Sequence, residues 1–213
     1  MQKIIYSTNI FLKILLVLIC GYFFWLMLKL TLEYIPTKAD VSFLMIKQTE
    51  VNTHPEYLYF FYTHVYSSIF VLLSGFISVF VKPNRYFKNL HRFFGKIYVI
   101  LLLLLAAPSG IYMGFYANGD FLAKISFLIL GIFWWLTTYK AYLEIKKKNF
   151  ENHKKWMYRS FALAVSAITL RVWKVVLVYF FHPNPMDVYE IIAWLSWVPN
   201  IILTEIILRK KII

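Results

Sequence analysis

The sequence predicts an all-α, polytopic membrane helix bundle. Of its 213 residues, 61% are hydrophobic and 20% aromatic, and the mean hydropathy is +0.63. A soluble domain of this length is nearer half apolar. The apolar residues gather in runs of roughly 20, the length that crosses ~30 Å of hydrocarbon. The basic residues fall in alternate interruptions between those runs, as a multi-span chain requires. One integral membrane domain over 1–213 is the simplest organisation.

Six spans follow, at about 11–32, 59–81, 94–116, 121–144, 157–181 and 188–208. Lys3 and Lys13 precede the first run, as in a secretory signal. Ile14 to Leu30 is too long for one, and no small-x-small site follows, so an uncleaved first helix is expected. The longest loop, about 33–58, holds Glu33, Asp40, Glu50 and Glu56 against only Lys38 and Lys47. Lys82 to Arg92 joins spans two and three, and Ala117-Asn118-Gly119-Asp120 makes a tight turn into span four. Lys146 to Arg159 leads into span five, and His182 to Asp187 into span six. Pro108 is expected to kink the third span. Ala106, Gly110 and Gly114 beside it form a small-residue stripe of the kind that lets helices approach in lipid.

Loops 82–92 and 146–159, with Arg209-Lys210-Lys211, hold most of the basic charge, and the other loops hold little. The positive-inside rule then puts both termini in the cytoplasm of a cell inner membrane, with 33–58 outside. The net charge of +13 is placed to meet anionic lipid, so the partner is the bilayer and not nucleic acid. The single cysteine, Cys20, excludes an intrachain disulfide and reads as apolar filling of the first span.

Chemistry rests on histidines and one deep arginine. At ~100° per residue, His64 shares a face with Ser68, Val71, Gly75 and Ser78, and His91 with Gly95, Tyr98, Leu102, Ser109 and Met113. His153 shares one with Met157, Ser160, Ala164, Ala167 and Arg171. His91 and His153 enter from the same side and are expected at one depth. Axial ligation of a b-type haem is one reading, with Arg92, Lys96, Lys155 and Arg159 near the propionates and Gly95 leaving room. Contact with headgroups and loop carbonyls is the other. Arg171 lies in the outer half of the fifth span, where an unpaired guanidinium costs about 2.5 kcal/mol or more. Its expected partners are His64, Tyr112 and Glu190. No His-Glu-x-x-His, Gly-rich phosphate loop or nucleophile elbow occurs.

His64 in a glycine-containing span, His-Arg-x-x-Gly-x-x-Tyr at 91–98, Ser109-Gly110, His-x-x-Trp-Met-x-Arg-Ser at 153–160 and Arg171 together resemble a bacterial family of predicted membrane proteins. That family is catalogued as domain of unknown function 2306. The resemblance covers about 60–175, makes spans two to five a four-helix core, and implies no activity. More distantly, the core looks like the haem bundles of b-type cytochromes and ferric reductases. Span four has no histidine, so one haem, between His91 and His153, is the most this likeness implies. Two functions are therefore expected: binding of a small hydrophobic ligand such as a quinone or lipid around His64 and Arg171, or a haem-binding redox protein.

Overall fold

In a computed structural model, residues 2–81, 83–182 and 185–210 are described. Of the loop residues read above, Lys82, Pro183, Asn184 and Lys211 lie outside them. All regular structure among the described residues is helical. The elements are α1 (Gln2–Leu32), a 3₁₀ segment (Ser42–Lys47), α2 (Gln48–Thr53), α3 (Glu56–Phe80), α4 (Lys88–Leu101), a π turn (Leu102–Ala106) and α5 (Ala107–Phe115). They continue as α6 (Phe121–Lys146), α7 (Phe150–Ala164), α8 (Ser166–Phe181), α9 (Pro185–Leu195) and α10 (Val198–Arg209).

Among the described residues, five continuous segments are long and apolar enough to cross a membrane: 56–80, 88–115, 121–146, 150–181 and 187–209. They cover the last five expected spans, falling one residue short at 81 and at 116. Val17–Leu32, within α1, is a shorter apolar stretch. Two segments start earlier than their apolar runs. Lys88–Arg92 and Phe150–Trp156 are rich in good helix formers, so the helix continues into the basic ends. Short caps hold the turns between. Asn84 Oδ1 accepts from the Tyr86 and Phe87 N–H groups, and Asn149 Oδ1 accepts from Asn152 N–H at the start of α7.

The segments α3, α4–α5, α6 and α7 pack as sequential neighbours, and α3 also meets α7. α1 lies on α3, and α9 and α10 close against α6 and α7. The central core is Val71, Tyr98, Leu102, Ala106, Ala107, Trp134, Leu163, Ala164 and Trp197. A second cluster joins Met27 of α1 to Ile69, Leu72, Phe76 and Ile168. A third, Leu44, Val51, Tyr57 and Phe61, folds the 33–55 segment onto the bundle. One layer of the core is polar. Tyr98 Oη and Thr138 Oγ1 lie 2.7 and 2.6 Å from Ser160 Oγ, and all three residues are fully buried. This chain of hydroxyls ties α4, α6 and α7 together in a low dielectric, where satisfied bonds are strong.

Two breaks interrupt the regular helices. In a π turn the carbonyl of residue i meets the N–H of residue i+5, and Ala107 N–H is bonded to Leu102 O in that way. The next carbonyl, Leu103 O, looks to Pro108, which has no N–H. Trp135 Nε1–H of α6 donates to it instead, at 3.1 Å. The expected kink is thus absorbed as a π turn and repaired from the neighbouring helix. The second break is at Val165, where Ile168 N–H tightens onto Val165 O at 2.9 Å. Beyond it, α8 packs mainly on α9.

Candidate functional site

Three of the five histidines, His64, His91 and His153, do the same local work. A carbonyl oxygen can only accept, so each ring is read with its proton on Nδ1. His64 Nδ1–H donates to Ala106 O of the π turn at 2.8 Å. His91 Nδ1–H donates to Val81 O, just past the end of α3, at 2.9 Å. His153 Nδ1–H donates to Ala141 O of α6 at 2.8 Å. Each ring therefore ties one helix to the backbone of a neighbour and keeps Nε2 as an acceptor.

His64 packs on α5. Its ring lies flat against Gly110, where a Cβ would come within 2.8 Å of Cε1. Ser68 Oγ is 3.5 Å from Nε2, too long for a strong bond. Arg171 is near enough for its charge to act on His64, Tyr34 and Tyr189, but it touches none of them by a hydrogen bond among the described residues. Its side chain is exposed, and its NH1 group donates to Ala167 O at 2.6 Å. Ala167 lies one turn back along α8, so the guanidinium points toward mid-membrane and does not snorkel to the nearer surface.

The other two expected partners are engaged elsewhere. Tyr112 Oη donates to Glu56 Oε1 at 2.9 Å, and its ring stacks on Phe60 at 4.0 Å. Glu190 lines a polar cavity of about 380 Å³ with Lys47, Glu50, Asn118, Asp120, Lys124 and Asp187. Tyr189 stands between that cavity and Arg171, and Lys174 Nζ lies 5.8 Å from its ring centroid.

Lys47, 1% exposed, closes the wall of the cavity by donating to Tyr116 O and, at 2.6 Å, to Glu50 Oε1. Burial alone would raise the Glu50 carboxyl, but Lys47 and the more distant Lys124 hold it below its ordinary 4.5. A lowered folded pKa means stability that is fully present above pH 4.5 and is lost as pH falls through the folded value. Acid unfolding of wild type should therefore include a component below pH 4.5 that Glu50→Gln lacks. Identical acid limbs for the two proteins would contradict it.

The haem reading needs a slot between α4 and α7 with both rings turned into it. His91 and His153 each donate Nδ1–H to a backbone carbonyl, as an axial histidine also does, and keep Nε2. Two turns further in, Tyr98 and Ser160 close α4 on α7 by a 2.7 Å bond. That contact leaves no slot for a macrocycle between α4 and α7 at its level. Arg92 is exposed. Arg159 is bidentate to Glu205, with Nε to Oε1 at 2.5 Å and NH2 to Oε2 at 3.0 Å, and lies 4.5 Å from the Trp156 ring centroid. Lys140 Nζ lies 4.6 Å from the same ring.

Sequence reasoning passed over Glu205. Its signal was an acid inside an apolar helix, one turn from Arg209, at the depth of Arg159 on the opposite strand of the bundle. An acid there requires a cation. Lys47, Tyr34 and Tyr189 carried no comparable signal, because folding of the 33–55 segment onto the bundle is not written in any periodicity.

The family model for predicted membrane proteins of unknown function, DUF2306, matches residues 61–208. The chain belongs to this family. The match runs past the expected 60–175 to include span six, consistent with α10 being bound to α7 through Arg159 and Glu205. No curated protein and no solved structure matches the chain.

Proposed function

We propose that this DUF2306 protein crosses the inner membrane six times with both termini cytoplasmic, and that it binds a quinone headgroup at His64 and Arg171. The observation that supports the site is Arg171 itself. It lies ten residues from the end of α8, or ~15 Å at 1.5 Å per residue. One of its five donors has a protein acceptor, the Ala167 carbonyl, and no carboxylate faces it among the described residues. Phosphate headgroups do not reach that depth, whereas a quinone ring does. Arg171 offers donors to a ring carbonyl, and His64 Nε2 offers an acceptor to the hydroxyl of the reduced form. The pair therefore suits either form of the ligand.

Arg171→Gln separates this from a purely structural arginine. A short-chain quinone at a hundredfold excess over Kd should stabilise wild type by about 2.7 kcal/mol. The variant should unfold near the wild-type midpoint and lose that stabilisation. A variant that is less stable but keeps the full ligand shift would make Arg171 structural.

The topology has its own test. With Cys20 replaced, Asn52→Cys on the exposed face of α2 should react with an impermeant thiol reagent in intact cells. Reaction only after permeabilisation would invert the topology.

A further inference from the structure

The polar cavity around Glu190 lies apart from the His64–Arg171 pair and shares no residue with it. It is built where the turn after α5, the start of α6, the start of α9 and the end of the 3₁₀ segment meet. Gly119 makes the approach possible. Its φ of +87° is open to glycine, and a Cβ there would stand 3.0 Å from Ala123 Cβ and 3.4 Å from Tyr189 Cβ. Lys47 and Glu50 neutralise one another across one wall. Asp120, Lys124, Asp187 and Glu190 line the same space, and Asp120, Lys124 and Glu190 make no ion pair among the described residues.

Charges of both signs facing one cavity exclude simple ligands. A metal needs converging carboxylates, and no three described Asp, Glu, His or Cys side chains provide them. A plain amine would meet the Lys124 ammonium, and a plain anion would meet Asp120, Asp187 and Glu190. A molecule with one charge of each sign answers both the lysine and the carboxylates. We infer that this cavity binds a small zwitterion, an ammonium joined over a few bonds to a phosphate, with the ammonium on Glu190 and Asp120 and the phosphate on Lys124. The cavity lies at the ends of membrane-crossing helices, the level of lipid headgroups. Its ligand is accordingly a phosphoethanolamine group, from a lipid headgroup or from a free solute.

Thermal unfolding of the full chain in detergent tests this. O-phosphoethanolamine, or micelles doped with phosphatidylethanolamine, should raise the midpoint by about 5 °C or more near saturation. Phosphate alone, ethanolamine alone and phosphatidylglycerol should not. A shift with the lipid only identifies the headgroup as the source, and a shift with both identifies the soluble group. Lys124→Gln and Glu190→Gln should each lose the shift, and Lys124→Arg should keep it. If a glutamine variant fails to fold, Lys124→Arg and the wild-type comparison still decide. No shift from either zwitterion, an equal shift from phosphate or ethanolamine alone, or shifts retained in both glutamine variants would overturn the assignment.

Discussion

Arg159→Ala should lower stability by about 3 kcal/mol, the cost of leaving a paired acid alone in a membrane-level, partly dry setting. The side chains of Arg159 and Glu205 are 23% and 34% exposed, so the loss sits at the lower end of the range for buried pairs. The loss has two parts. α10 is released from α7, and Glu205 is left in an apolar helix with Arg209 near its charge. Glu205→Ala should cost less, since a lone arginine can turn toward the interface. The double change Arg159→Met with Glu205→Met should return most of the loss, because matched apolar groups have no charge to desolvate. Denaturant or thermal unfolding of the four proteins in one detergent measures this. A double variant as unstable as Arg159→Ala would show that the pair is not where the energy lies.

Gly75→Val should be nearly as damaging. An added Cβ at Gly75 stands 2.9 Å from Phe161 Cδ2 and Cε2 and 3.0 Å from Tyr98 Cε2. Tyr98 has no room to yield, being fully buried and bonded to Ser160. Overpacking of this kind costs about 1–3 kcal/mol, and valine's branches put it at the upper end. Gly75→Ala should be milder, because alanine returns about 1 kcal/mol of helix preference. The order expected is wild type, alanine, valine, read as unfolding midpoints. A valine variant at the wild-type midpoint would mean that α3 and α7 are not packed as described.

Much of the fold was legible because lipid makes hydrophobicity collinear with structure. The long runs gave the crossing helices, and Pro108 and the small stripe marked where the third bends. What was not legible depends on contacts between helices. Strict periodicity put Ser109 and Met113 on the face of His91, but the π turn at Leu102–Ala106 lies between His91 and those two residues and shifts that face. The same assumption ran Arg171 in line with Ser160 and Ala164, across a break at Val165 that no glycine or proline announces. The site was legible as residue types and not as pairings. His64 was matched with Arg171, yet its hydrogen bond goes to a carbonyl of the π turn. Tyr112 and Glu190 were assigned to the same arginine, and they turned instead to Glu56 and to the polar cavity.

The most direct test of the proposed ligand is the quinone content of protein purified gently from its own membranes. Solvent extraction and chromatography of wild type should give close to one quinone per chain. Arg171→Gln, purified in parallel and equally folded, should give a small fraction of that. Wild type without bound quinone, or an Arg171→Gln protein that retains the full amount, would contradict the account.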